Sequence, residues 1–152
     1  MTITLLALDL GTKTGYAVGT AQSHISGVSD FKPGRFEGGG MRYLRFRRWL
    51  DDLHAAVEFD EVVFEEVRRH KATDAAHVYG GLMGVLTTWC EEAAVPYSAV
   101  PVGTIKKFAT GKGNANKEAV IAAVRSWGFE PEDDNEADAI ALLKCRLVER
   151  GE

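Results

Sequence analysis

The spacing of apolar residues along the chain changes between two patterns, which predict a mixture of strands and helices. Short apolar runs bounded by glycine or proline predict buried strands over 3–9, 15–19, 61–65 and 97–100, with a further strand inside 24–36. Apolar residues three or four apart predict helices over 42–57, 73–93, 102–108 and 117–126, and a last helix from 134. Three strands followed by alternating helices and strands predict an α/β fold, a mixed five-stranded sheet flanked by helices.

The composition is that of an ordinary globular protein, with 45% hydrophobic and 26% charged residues among 152. This length predicts a single domain over 1–152 with a sizeable core. No apolar run approaches the ~20 residues that span a bilayer, and the N-terminus lacks the basic start of a signal peptide. Two cysteines, Cys90 and Cys145, are too few for a disulfide framework or a cysteine zinc site. We therefore expect a cytoplasmic protein without membrane contact.

The net charge of −4 is unevenly distributed. Residues 1–128 hold 15 basic and 14 acidic residues, whereas residues 129–152 hold 3 basic and 8 acidic ones. A negative total alone would argue against a nucleic-acid partner. Because the acidity is concentrated at one end of a nearly neutral body, it points to a local acidic feature instead.

Three carboxylates follow or border apolar core segments, where an unpaired charge is costly. Asp9 ends the first strand, Glu65 ends the fourth, and Asp138 lies in the first turns of the last helix. If the two strands are neighbours beneath that helix, the three acids converge and favour hard cations such as Mg²⁺ or Mn²⁺. Two such ions about 4 Å apart are used by enzymes that hydrolyse phosphodiesters. Taken singly, each acid could be a turn former, a surface acid or a helix cap, and strand alternation leaves open whether Glu65 or Glu66 faces the site.

Four segments in order resemble the RuvC family of Holliday-junction resolvases, in the RNase H-like superfamily, over most of the chain. The segments are Leu6–Val18, with Asp9 before a glycine turn and a Gly-Tyr pair; Val63–Val67; the basic stretch Thr104–Val120; and Asn135–Ala141. The resemblance selects Glu65 as the catalytic glutamate. It implies an RNase H-like fold and a Mg²⁺- or Mn²⁺-dependent endonuclease with two ions per site. Such an enzyme nicks four-way or related branched DNA symmetrically, leaving 5′-phosphate and 3′-hydroxyl ends.

Two positions depart from the family pattern. The fourth acid of the family falls on Asn135, whose carbonyl oxygen can coordinate but brings no charge. Asp134 shares the helix face of Asp138 and is the alternative fourth ligand. The aromatic residue that follows the catalytic glutamate in the family is replaced by Arg68, which removes a base-unstacking side chain from this position.

Two groups of basic residues flank the predicted site and are candidate DNA contacts, namely Arg68, Arg69 and Lys71, and Lys106, Lys107, Lys112 and Lys117. The alternative for any one of them is a solvated basic surface. By the resemblance, Lys106 and Lys117 place the scissile phosphate, and Lys117 joins Asp9, Glu65 and Asp138 as a catalytic residue.

The first predicted helix combines an apolar stripe with a row of arginines. The stripe consists of Leu44, Trp49, Leu53 and Val57, and the arginines beside it are Arg42, Arg45, Arg47 and Arg48. These arginines are equally compatible with general DNA contacts and with solubility.

The long helix over 73–93 carries Ala76, Gly80 and Gly84 at a four-residue spacing that permits close approach of another helix. Packing on the protein's own sheet is one explanation. By the resemblance, a homodimer forms through this helix and sets two active sites against a junction.

Three rival functions share part of this pattern. A YqgF-like RNA-processing nuclease has the same fold and metal chemistry, and a non-catalytic junction-binding module would explain Asn135. An ATPase of the actin and hexokinase type needs two such domains, which 152 residues do not supply. The expected location is the cytoplasm of a bacterium or of a phage-infected host cell, since small proteins of this type often come from phages.

Overall fold

The computed structural model describes residues 2–70 and 72–152, and in this part of the chain helices flank one five-stranded sheet. The strands are β1 (Leu5–Asp9), β2 (Lys13–Gly19), β3 (His24–Asp30), β4 (Glu61–Glu66) and β5 (Tyr97–Pro101). The helices are α1 (Gly40–Ala56), α2 (Thr73–Ala93), α3 (Val102–Thr110), α4 (Lys117–Ser126) and α5 (Asp134–Glu149). The predicted α/β architecture is confirmed, with strand and helix ends within a few residues of the expected ones.

The sheet order is β3-β2-β1-β4-β5, with antiparallel pairing among the first three strands and parallel pairing of β4 with β1 and β5. In this register Asp9 lies opposite Gly15 of β2, and Ala7 lies opposite Val63 of β4. Since β1 and β4 are parallel neighbours, their carboxyl ends meet at the same edge of the sheet. This edge is where the strand acids were expected.

Strand alternation sends successive side chains into two separate cores. Leu6, Leu8, Val62 and Phe64 pack in a core with α1 and α2, whereas Leu5, Ala7 and Val63 pack in a core with α4 and α5. Glu65 and Asp9 continue the second series, because each lies two residues beyond one of its members. Both acids are therefore directed to the face covered by α5.

The buried face of α1 differs in part from the predicted stripe. Phe46 and Leu50 are fully buried, whereas Leu44 is 40% exposed. Trp49, Leu53 and Val57 contact this core as partly buried residues, in agreement with the predicted stripe. The predicted stripe left out Phe46, because this residue lies between two arginines in the sequence.

The strand predicted inside 24–36 is β3, and the segment between β3 and α1 is a loop. β3 ends at Asp30, before Pro33 and Gly34, which cannot continue a strand ladder favourably. Among the described residues, no helix combines the length and the apolar character that crossing a membrane requires.

Candidate active site

Three carboxylates meet at the carboxyl edge of the sheet, where β1 and β4 end beneath α5. One oxygen from each of Asp9, Glu65 and Asp138 lies within 4.8 Å of the other two, and all three side chains are partly buried. The strands supply two of the acids and the second turn of α5 supplies the third. Three closely spaced carboxylate oxygens are a donor set suited to hard divalent cations.

The electrostatics of this cluster are unfavourable without a cation. Burial, followed by the charges of Glu65 and Asp138, raises the pKa of Asp9 well above its usual value. Burial and the charge of Asp138 raise the pKa of Glu65 to about 7. Burial and the charge of Asp134 raise the pKa of Asp138 to about 6. The site therefore holds protons near neutral pH unless a cation compensates its charge.

A glycine permits the close approach of α5 to the sheet. Gly15 is buried opposite Asp9, and a Cβ at this position would overlap the backbone carbonyl of Asn135. The N-terminal turn of α5 therefore rests directly on the backbone of β2. This contact sets the distance between Asp138 and the strand that carries Asp9.

Further bonds fix the same turn of α5. Asp133 caps the helix by accepting a 2.9 Å hydrogen bond from the Glu136 amide. The buried Glu136 carboxylate accepts one bond of 2.6 Å from the Ser26 hydroxyl and another of 2.7 Å from the Glu132 amide. Because Ser26 lies on β3, the edge strand also anchors the helix that supplies Asp138.

Tyr79 of α2 holds the end of β4 from the opposite face of the sheet. Its hydroxyl donates to the Glu65 carbonyl at 2.8 Å and accepts from the Val67 amide at 3.2 Å. The main chain on both sides of Glu66 is thereby tied to α2. Sequence reasoning missed this residue, because a helical tyrosine near an apolar stripe gives no sign of its polar partner.

The two candidates for a fourth ligand lie in different surroundings. The charge of Asp134 contributes to the raised pKa of Asp138 and of Glu65, so this carboxylate lies near the cluster. Asn135 instead donates its side-chain amide to Asp133 at 3.2 Å. Of the two, Asp134 is the one that adds negative charge to the site.

Two of the predicted lysines lie beside the carboxylates. The charge of Lys106 acts to lower the pKa of Glu65 and of Asp138, and the charge of Lys117 does the same at Asp138. Lys117 also lies 3.4 Å from Asp134, with a side chain that is 74% exposed. Both ammonium groups are thus placed where a phosphate could reach them together with the acids.

Four further predicted DNA contacts are exposed. Lys107 and Lys112 are exposed on α3 and in the turn that follows it, and Arg69 is exposed after β4. Arg68 is 80% exposed and is bound to Glu66 at 2.6 Å. Lys71 lies outside the described residues.

Two of the arginines of α1 form ion pairs. Arg45 binds both carboxylate oxygens of Glu37, and Arg47 binds both oxygens of Glu92. Arg42 donates to the Thr12 hydroxyl at 3.3 Å. These contacts favour a structural role for Arg45 and Arg47 over direct contact with DNA.

The raised pKa values predict that stabilisation by Mg²⁺ depends on pH. A carboxyl with a raised folded-state pKa binds protons more tightly in the folded than in the unfolded chain, so metal-free stability rises as pH falls through about 7 and 6. Mg²⁺ needs the ionised acids and should stabilise most near pH 8, by about 1.4 kcal/mol at ten times its Kd. Thermal unfolding with and without Mg²⁺ at pH 8 and pH 5 measures this. An equal Mg²⁺ effect at both pH values would contradict binding at the cluster.

Comparisons with known proteins identify relatives along nearly the whole chain, although no protein-family model matches it. The "Crossover junction endodeoxyribonuclease RuvC" of Halorhodospira halophila is 29% identical over 161 residues, covering 96% of this chain and 90% of that protein. The protein of the same name from Nitratidesulfovibrio vulgaris is 29% identical over 153 residues, covering 97% and 92%. That of Anaeromyxobacter sp. strain K is 30% identical over 110 residues, covering 72% and 60%.

Solved structures share the fold. Thermus thermophilus RuvC, in a complex with a Holliday junction substrate, superposes with a TM-score of 0.81 at 23% identity, covering 98% of this chain and 96% of that one. The yeast mitochondrial Holliday junction resolvase Ydc2 gives a TM-score of 0.66 at 14% identity, covering 94% and 77%. The chain is therefore similar in sequence to proteins named crossover junction endodeoxyribonuclease RuvC, and it shares the fold of Thermus thermophilus RuvC.

Proposed function

We propose that this protein is a metal-dependent endonuclease that resolves Holliday junctions or other branched DNA by symmetric nicking. The observation that carries the proposal is the meeting of Asp9, Glu65 and Asp138 within 4.8 Å at the edge of the sheet. Proteins with 29% sequence identity to this chain carry the name of this activity, and a structural neighbour was solved with a Holliday junction. The carboxylate cluster and its flanking cations give this chain the groups that such chemistry needs.

In this proposal Asp9, Glu65 and Asp138 hold two Mg²⁺ or Mn²⁺ ions, with Asp134 completing the set in preference to Asn135. When bound, divalent ions of this kind stabilise the negative charge that develops on a phosphodiester during in-line hydrolysis. The protein's own task is to keep three repelling acids in place, which Gly15 and Tyr79 support from two sides of the sheet.

The lysines act on the phosphate in this scheme. Lys106 and Lys117 lie near enough to change the pKa of the acids, so they can draw the scissile phosphate toward the cluster and offset its charge. Lys117 contributes directly to catalysis. The exposed cations farther from the cluster contact neighbouring phosphates; they are Arg68, Arg69, Lys107 and Lys112. DNA binding should therefore weaken as the salt concentration increases.

A second copy of the chain is part of the proposal. Gly80 and Gly84 are exposed on α2, and a Cβ on either would meet no atom within 4 Å. They line a largely open groove of about 550 Å³ with Leu44 and Val85. Leu82 and Trp89 on the same helix are buried in the protein's own core, so the small residues form a separate outer face. A homodimer through this face would present two sites to the two strands that symmetric nicking requires.

Light scattering at micromolar concentration should therefore give twice the 16.6 kDa chain mass. Gly84→Arg, which places a long charged side chain on the open face, should give a monomer. Ala122→Arg, on an exposed position of α4 away from this face, should leave the dimer intact. A monomeric wild-type protein would contradict the dimer.

The proposed activity is tested by incubating the protein with a synthetic four-way DNA junction, with and without Mg²⁺. We expect paired nicks that need Mg²⁺ and do not appear on linear duplex DNA. Cleavage of structured RNA instead of the junction would favour the RNA-processing alternative, and junction binding without nicking would favour a binding module. The cytoplasmic location and the single domain over 1–152 stay predictions within this proposal.

A further inference from the structure

The loop between β3 and α1 presents the most exposed large apolar side chain among the described residues. Phe36 is 95% exposed, compared with 58% for Val148 and 56% for Ile25. A single exposed apolar residue is common on a protein surface and requires no explanation by itself. The structure around Phe36 is what distinguishes it.

The loop is held at both of its ends. At its start Phe31 is buried, its ring centroid is 5.4 Å from that of Phe46, and its amide donates to the Thr12 carbonyl at 2.8 Å. Near its far end the Glu37 carboxylate accepts hydrogen bonds from the Arg45 guanidinium and from the Gly34 amide. Phe36 immediately precedes Glu37, so its ring lies on a turn that these hydrogen bonds fix in place.

The loop leaves the sheet at the edge where the carboxylates lie. Asp30, the last residue of β3, pairs with Lys13 at the start of β2, and Asp9 pairs with Gly15 of the same strand. β3 is two strands away from β1, which corresponds to about 10 Å across the sheet. The loop therefore begins at the same edge of the sheet as the candidate site.

Two basic residues lie in the loop that carries the ring. The Arg35 guanidinium carbon lies 5.5 Å from the Phe36 ring centroid, and Lys32 is exposed in the same loop. Glu37 is the one acid within 31–39, and Arg45 neutralises it. A flat apolar ring bordered by cations matches a nucleobase attached to phosphates, because bases stack on aromatic side chains while cations bind the backbone.

We propose that Phe36 stacks on an unpaired or opened base of the branched DNA, while Arg35 and Lys32 contact the adjoining phosphates. This inference rests on the proposed function and deepens it, since it assigns recognition of non-duplex DNA to the loop over 31–39. In linear duplex DNA the bases are stacked on one another and offer no free face. The contribution of Phe36 should therefore be specific to branched substrates.

The test compares binding of a four-way junction and of linear duplex DNA in EDTA, for the wild type and three variants. Phe36→Ala and Phe36→Leu should weaken junction binding by about 5- to 150-fold, the range expected for loss of one stacked base. Phe36→Trp should bind as the wild type does, because it retains an aromatic face. Duplex affinity should be unchanged in all three. Val148→Ala, at an exposed apolar position near the end of α5, is the matched control and should change neither affinity.

Any one of three binding results would overturn the inference. Wild-type affinity of Phe36→Ala for the junction would show that the ring makes no contact, and an equal loss on junction and duplex would show a general effect on binding. Retained affinity in Phe36→Leu would indicate apolar contact without stacking and would also contradict it. If the wild type nicks the junction in Mg²⁺ and Phe36→Ala matches it in every assay, the inference fails while the proposed function stands. A wild type that neither binds nor nicks a junction would overturn both.

Discussion

Replacing Asp9 with asparagine should abolish nicking while making the metal-free protein more stable at pH 8. Burial, followed by the charges of Glu65 and Asp138, raises the pKa of the Asp9 carboxyl, so its removal relieves desolvation and repulsion in the folded state. The same change removes a proposed metal ligand. Loss of residues that only orient ligands typically costs 10- to 100-fold in activity or metal affinity, so loss of the ligand itself should cost more than about 100-fold.

Three measurements test this result. They are the nicking rate on a four-way junction, the midpoint of thermal unfolding in EDTA at pH 8, and the shift of that midpoint on adding Mg²⁺. Asp9→Asn should have almost no nicking, a higher midpoint in EDTA and a reduced Mg²⁺ shift. Glu58→Gln removes one charge from an exposed position outside the cluster and should behave as the wild type in all three. Nicking by Asp9→Asn at the wild-type rate would refute the site.

The second large effect is expected from Gly15→Ala. The added methyl group would overlap the Asn135 backbone carbonyl, and main chain cannot swing aside as a flexible side chain can. Overpacking of this kind costs about 1–3 kcal/mol. Because the displaced turn belongs to α5, Asp138 should move away from Asp9 and Glu65, and nicking should fall together with stability.

Gly11→Ala is the matched control for this change. Gly11 lies in the preceding turn, and the nearest atom to a Cβ there is the Lys13 carbonyl oxygen at 3.7 Å, an ordinary contact. We expect Gly11→Ala to unfold within a few degrees of the wild type and to keep its activity. If Gly15→Ala is as stable and active as Gly11→Ala, α5 does not depend on the contact with β2.

The fold was largely predictable because its strands are short apolar runs and its helices keep a helical spacing. The position of the site was also predictable, because two acids lie at the ends of apolar runs. These runs form parallel neighbouring strands, whose carboxyl ends meet at one edge of the sheet. Alternation alone left Glu65 and Glu66 as alternatives, and the resemblance selected Glu65. The structure adds that Glu65 follows Val63 into the core beneath α5.

What could not be predicted involves contacts between residues distant in sequence. The bonds of Tyr79 to the end of β4 and of Ser26 to Glu136 join elements 12 to 110 positions apart. Residue type gives no sign of such partners. The sequence showed Gly15 as part of a glycine-tyrosine pair. It did not show that the backbone of α5 packs against this glycine, because that contact depends on the orientation of the helix. The buried position of Phe46 in α1 was likewise hidden by neighbouring arginines.

Tyr79 and Gly80 are consecutive residues of α2, of which the first is buried and the second exposed. The tyrosine hydroxyl forms hydrogen bonds with the main chain of Glu65 and Val67, whereas the glycine is exposed on the proposed dimer face. A partner seated on that face would thus press on a helix that is bonded to the strand end supplying one of the three acids. If the dimer forms as proposed, one helix would carry the subunit contact and also hold the strand end that supplies Glu65, so a substitution that separates the subunits should also alter the geometry of the acids.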